Sequence, residues 1–157
     1  MNHRVRILPL LVVAMFTSCS PAKSEQMSKI AFSENKEYLT NGILWSNCLK
    51  QIDQHYLVFF YSPTCNHCEE IIEDVQEFAR SEIVKLYYLN IKEQDEKIPV
   101  SNEIKSTIGV SDISDLFIAG TPTIIEVFEG VVKDNVAGKE ACLTLLNEQR
   151  LLQKTNI

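Results

Sequence analysis

The sequence predicts an α/β domain built on a central mixed sheet with helices on both faces. Three observations predict it. The run Tyr56 to Tyr61 is continuously apolar and aromatic, and it has the length of a strand buried on both sides. An amphipathic helical stretch and a second apolar run follow it, the order of a right-handed βαβ unit. Further on, two strand-like runs flank Glu129-Gly130, a tight-turn dipeptide, and form an antiparallel hairpin. A chain of 157 residues suits one such domain and is too short for two.

In chain order, residues 34–54 are expected to be helical, with Leu44, Cys48 and Ile52 on one face and Asn41-Gly42 weakening the start. The strand Tyr56 to Tyr61 is broken by Ser62-Pro63-Thr64, and a helix follows from about Cys65 to Ser81. Ile71, Ile72, Val75 and Phe78 form its apolar stripe, and Glu69, Glu70, Glu73 and Asp74 its wet face. Ile83 to Ile91 reads as a second strand and Lys92 to Lys97 as a loop, after which Ser101 caps a short helix from Asn102 to Ile108. The hairpin strands run from Thr123 to Phe128 and from Val131 to Ala137. Gly138 ends the second, and a closing helix from Lys139 to Gln153 turns Cys142, Leu145, Leu146 and Leu152 inward. There is no internal repeat and no low-complexity tract.

The chain is 45% hydrophobic, which excludes general disorder. Its formal charge of −6, with no Lys/Arg cluster, argues against nucleic acid as a partner. The N-terminus carries an address instead. His3, Arg4 and Arg6 precede an apolar run from Ile7 to Phe16 and then Thr17-Ser18-Cys19. That is the pattern of a signal peptide over residues 1–18, with a run shorter than the roughly 20 residues a spanning helix needs. Phe16-Thr17-Ser18-Cys19 resembles a bacterial lipobox, with Phe where Leu is usual, so Cys19 is the expected lipidation site. Residues 19–33 then form a polar, lipid-anchored tether, and 34–157 the domain. The expected location is the extracytoplasmic face of the membrane in the cell envelope, reached through the lipid, because the acidic mature chain does not hold to anionic headgroups. The alternative is ordinary cleavage, which leaves Cys19 as a free thiol on a secreted or periplasmic protein.

The chemistry is expected at Cys65-Asn66-His67-Cys68, a C-x-x-C motif just after a buried strand and at the first turn of a helix. Structural zinc needs four ligands, and the chain has no second C-x-x-C and only His55 and His67 beyond the signal, so no metal is expected. A redox role has a physical basis. Cysteines one helical turn apart can close a disulfide, and the upstream one meets orphan N–H groups and the positive end of the helix dipole. Lowering a thiol pKa from roughly 8.5 to 6.5 takes about 2.7 kcal/mol, within reach of a helix terminus and an adjacent partly protonated His. Cys65 is therefore the expected exposed nucleophile and Cys68 the resolving thiol.

With these residues in place, the chain from about 38 to 153 resembles the thioredoxin-like oxidoreductases. The matching pieces are Tyr56 to Tyr61, Ser62 to Cys68, and Gly120-Thr121-Pro122-Thr123 before the hairpin. The resemblance implies a thioredoxin-like three-layer fold and a cis Thr121-Pro122 peptide lying against the active-site cysteines, with the Thr121 backbone left to pair with an extended substrate chain. It implies a dithiol that needs no cofactor, with protein thiols and disulfides as partners and a membrane electron donor or acceptor. Two departures stand out. Thioredoxins carry a buried Asp where this chain has Phe59, and the Lys beside it becomes Tyr88; both count against efficient reduction of the thioredoxin kind. His67 stands where thioredoxins have Pro, which resembles protein disulfide isomerase and the periplasmic disulfide oxidases. A cation there stabilises the reduced thiolate and makes the couple more oxidising, so Asn66 and His67 are the expected redox-tuning positions. Cys48 and Cys142 are expected to be unbridged core residues on opposite faces of the sheet.

The expected function is an exported thiol–disulfide oxidoreductase. Two alternatives stay open: a reductase of surface proteins or of cytochrome maturation, and a non-catalytic lipoprotein that uses the scaffold to bind a partner, such as an accessory factor for bacteriocin export.

Overall fold

The computed structural model describes residues 41–155. The expected signal peptide, the tether with Cys19, and the start of the 34–54 stretch lie outside them. Among these residues, four strands and two α-helices make up the frame: β1 (His55–Tyr61), α1 (Asn66–Arg80), β2 (Lys85–Asn90), β3 (Thr123–Phe128), β4 (Val131–Ala137) and α2 (Lys139–Thr155). The sheet order is β2-β1-β3-β4, with β1 parallel to β2 and antiparallel to β3, and β3 antiparallel to β4. The expected mixed α/β sheet is present, in a thioredoxin-like arrangement. No helix among the described residues is long and apolar enough to cross a membrane.

β1 is central because it can be buried on both sides, and five of its residues, Tyr56 to Phe60, are fully enclosed. Its side chains divide by period two. Leu57 and Phe59 face one core with Ile71, Val75 and Phe78 of α1 and Cys142 and Leu145 of α2. Tyr56, Val58 and Phe60 face the other with Trp45, Cys48, Leu116 and Ile118. Among the described residues both α-helices thus cover one face, while 3-10 turns and loops cover the other. Glu129 and Gly130 both take positive φ, 52° and 75°, the two-residue turn whose twist matches its strands.

Three expected elements differ. The described part of the 34–54 helix is only a 3-10 turn, Trp45–Asn47. Its upstream backbone instead pairs with the free edge of β2: Ile43 N donates to Tyr88 O and Tyr88 N to Asn41 O, each at 2.9 Å. Ladder bonds on an open strand edge outcompete the helix that the i, i+4 spacing suggests, so Cys48 is buried while Ile52 is 95% exposed. The expected helix from 102 to 108 is likewise a 3-10 turn, Ile104–Thr107. Gly109, at φ 90°, then swings the chain across to β4, where Gly109 N donates to Val132 O and Val132 N to Val110 O. Finally, α2 runs to Thr155 and its last turn passes the edge of the core, leaving Leu152 56% exposed rather than buried.

Candidate active site

The site lies at the C-terminal end of β1. Ser62 to Thr64 form a tight turn, with Thr64 N donating to Ser62 Oγ at 3.3 Å and Cys65 N to Ser62 O at 3.1 Å. The turn delivers Cys65 to the N-cap of α1 in an extended conformation. There its sulfur does what a capping oxygen does elsewhere: Sγ accepts from Cys68 N at 3.2 Å, and the Cys65 carbonyl accepts from Cys68 N and Glu69 N. Cys65 is half-buried, and Asn66 and His67 are exposed. Cys68, one turn on, is enclosed in the α1–α2 core.

The second half of the site comes from the strand before the hairpin. Thr121-Pro122 is a cis peptide, and the Cys65 thiol donates to Thr121 O at 3.4 Å, so the loop lies directly against the cysteine. Two bonds hold the loop there: Thr123 Oγ1 to Gly120 O at 2.8 Å, and Gly138 N, at the start of α2, to Pro122 O at 2.8 Å. Residues 56 positions apart in sequence meet because β1 and β3 are neighbours.

Burial pushes the Cys68 thiol up to about 12; the hydrogen bond to Cys65 adds to this, while the Ser62 backbone and the Thr121 side chain pull the other way. Phe59 and Tyr88 of the sheet share its core. Phe59 and Tyr88 are direct partners across β1 and β2, with their rings edge to face at 6.3 Å, and Phe59 stacks on Tyr61 at 5.9 Å. Cys68 is therefore backed by aromatic carbon. Cys48 and Cys142 are free and buried on opposite faces, as expected, and burial pushes Cys142 up to about 12 as well. No group of three or more His, Cys, Asp or Glu side chains is placed to hold a metal among the described residues.

The sequence reading missed three side-chain placements. Glu69, expected on the wet face, is half-buried with one carboxylate oxygen inside. Glu70 joins two elements: its Oε2 accepts from Lys139 Nζ at 2.9 Å and lies 3.7 Å from His67 Nδ1. The i, i+3 spacing of His67 and Glu70 was a signal for one half of that link, whereas nothing local pointed to Lys139. At the opposite end of β1, His55 and Gln149 both meet Glu126 Oε1, at 2.7 and 3.0 Å.

No protein-family model matches the chain, and no curated protein matches it either. Among solved structures it is similar to mitochondrial thioredoxin 3 from Saccharomyces cerevisiae, at 17% identity over 71% of this chain and 93% of that one, with a TM-score of 0.47. It is similar to thioredoxin f2 from Chlamydomonas reinhardtii at 15% identity over 68% and 93%, with a TM-score of 0.45. A putative oxidoreductase with a thioredoxin fold matches at 16% identity over 74% and 99%, with a TM-score of 0.49. These are likenesses of fold.

Proposed function

We propose that this chain is a thiol–disulfide oxidoreductase that exchanges disulfides with protein substrates through Cys65 and Cys68, held by a lipid on Cys19 at the extracytoplasmic face of a membrane. The observation that supports it is the juxtaposition at the start of α1: a half-buried sulfur at the helix N-cap, a second thiol enclosed one turn behind it, and the Thr121 carbonyl 3.4 Å away on the cis-Pro loop. An accessible thiol beside an enclosed one is what an exchange reaction uses, since one sulfur must meet the substrate and the other must wait.

In the oxidising direction a substrate thiolate attacks Cys65 of the Cys65–Cys68 disulfide, and Cys68 leaves and takes up a proton. A second substrate thiolate then attacks the substrate sulfur of the mixed disulfide and expels Cys65. The substrate loses two electrons and gains a disulfide, while the Cys65–Cys68 pair gains two electrons and becomes a dithiol. A membrane-bound disulfide or quinone restores it. The Thr121 backbone offers the approaching substrate chain a strand-like partner, and Pro122 helps shape that edge. His67, when protonated, favours the Cys65 thiolate and with it this direction.

The test is equilibration with a glutathione redox series, read by trapping the thiols. Wild type is expected to behave as one two-electron couple above thioredoxin's potential, roughly −270 mV. Cys65→Ser is expected to abolish exchange, and Cys68→Ala to accumulate mixed disulfides. A pair that does not equilibrate, or a Cys65→Ser, Cys68→Ser variant that keeps its cellular role, would replace the enzyme with a binding protein. Fractionation of the same cells tests the anchor, because Cys19→Ala should release the chain from membranes or stop its processing.

A further inference from the structure

Glu70 lies between the Lys139 ammonium of α2 and the His67 imidazole of its own helix. Lys139 Nζ donates to its Oε2 at 2.9 Å, and His67 Nδ1 lies 3.7 Å from that same oxygen. The Lys139 ammonium holds the Glu70 carboxyl below the usual carboxylate range. Lys139 is the first residue of α2, a place where the helix dipole disfavours a cation, and the bond to Glu70 offsets that cost. These three side chains line a groove of about 570 Å³ together with Ala137, Gly138, Ala141 and one further charged residue, Glu140. Gly138 N donates to Pro122 O at 2.8 Å, which ties the groove to the loop whose Thr121 carbonyl meets Cys65.

We propose that Lys139 is a positioning residue of the redox centre, acting through Glu70: by covering that carboxylate, it limits both the negative charge presented to the Cys65 sulfur and the hold of Glu70 on the His67 imidazole. The proposal rests on the exchange reaction above and names a control that reaction does not require. Reduction creates a negative charge at Cys65 that the disulfide lacks. An uncovered carboxylate on the first turns of the same helix opposes that charge directly and also holds a protonated His67 more tightly. Both effects favour the disulfide and act in the same direction. Lys139 suppresses both from another element of the fold.

The experiment compares wild type, Lys139→Met, Lys139→Arg and the double variant Lys139→Met, Glu70→Gln in a glutathione series, together with the alkylation rate of Cys65. Lys139→Met is expected to move the equilibrium about threefold toward the disulfide, close to 14 mV, and to slow alkylation by a similar factor. Lys139→Arg is expected to match wild type, and the double variant to return toward it, since the uncovered charge is gone. High salt is expected to shrink the effect of Lys139→Met. A Lys139→Met protein with wild-type potential, or a double variant as shifted as the single one, overturns the proposal while leaving the exchange reaction intact. Failure of wild type to equilibrate at all overturns both. All three residues are partly exposed, with His67 70% so, and circular dichroism checks that the variants keep the fold.

Discussion

Cys65 and Cys142 belong to the same side of the sheet, and each lies at the start of a helix, yet they are opposite kinds of cysteine. Cys65 is the N-cap of α1, half-buried, its sulfur accepting a backbone N–H. Cys142 lies inside the first turn of α2, fully enclosed, its thiol directed at Val136 O at 3.9 Å. Cys48 repeats the second kind on the far face, where burial raises its pKa strongly. A helix start alone does not make a reactive thiol. The cap position does, because only there are unpaired N–H groups and solvent found together.

The largest expected effect separates the two kinds outright. In the native reduced protein, Cys65 should alkylate at neutral pH more than about a thousandfold faster than Cys48 or Cys142, which react only when the core opens at a cost of several kcal/mol. Mass spectrometry of briefly labelled protein reads the ratio. Comparable labelling of Cys142 would mean that the α1–α2 core is loose, and the contrast between the two helix starts would collapse.

A second prediction sharpens the comparison within the pair. Burial favours the neutral Cys68 thiol, so its thiolate is scarce at neutral pH and grows tenfold per pH unit until about 12. Release of glutathione from a Cys65 mixed disulfide by Cys68 should therefore accelerate about a hundredfold between pH 6.5 and 8.5, with no plateau. Stopped-flow measurement of that release decides it. A plateau near pH 7 would reveal a base serving Cys68 that the aromatic pair Phe59 and Tyr88 does not provide.

What could be read in the sequence followed the range of the interactions. β3, the Glu129-Gly130 turn and β4 stand at their expected bounds, because alternation, a turn dipeptide and Gly138 are all local signals. The C-x-x-C turn and the proline loop were legible as motifs, and the fold brings them to 3.4 Å. The 41–54 segment was not legible, since its backbone answers to the edge of β2, where Gly42 meets Tyr88, 46 residues away in sequence. Lys139 was hidden for the same reason: its partner Glu70 lies 69 residues upstream. Leu152 fits the apolar period of α2, but period does not say where the sheet beneath a helix ends.

The smallest effect has the sharpest sign. Cys48→Ala and Cys142→Ala each remove a sulfur from a fully enclosed site and should cost about 1 kcal/mol of stability through lost contacts and a small cavity. Cys65→Ser should do the reverse. At an N-cap, a serine oxygen is a better acceptor than sulfur for the Cys68 N–H, and capping is worth about 0.5–2 kcal/mol against a residue that cannot cap. A gain of roughly 0.5 kcal/mol is therefore expected from the same substitution that is expected to abolish exchange. Urea unfolding of the reduced proteins measures all three. A destabilised Cys65→Ser would show that the sulfur is held by contacts stronger than its cap bond and its 3.4 Å approach to Thr121 O. A stabilised one would show that α1 begins with a poorer cap than the fold could have, kept for its sulfur chemistry.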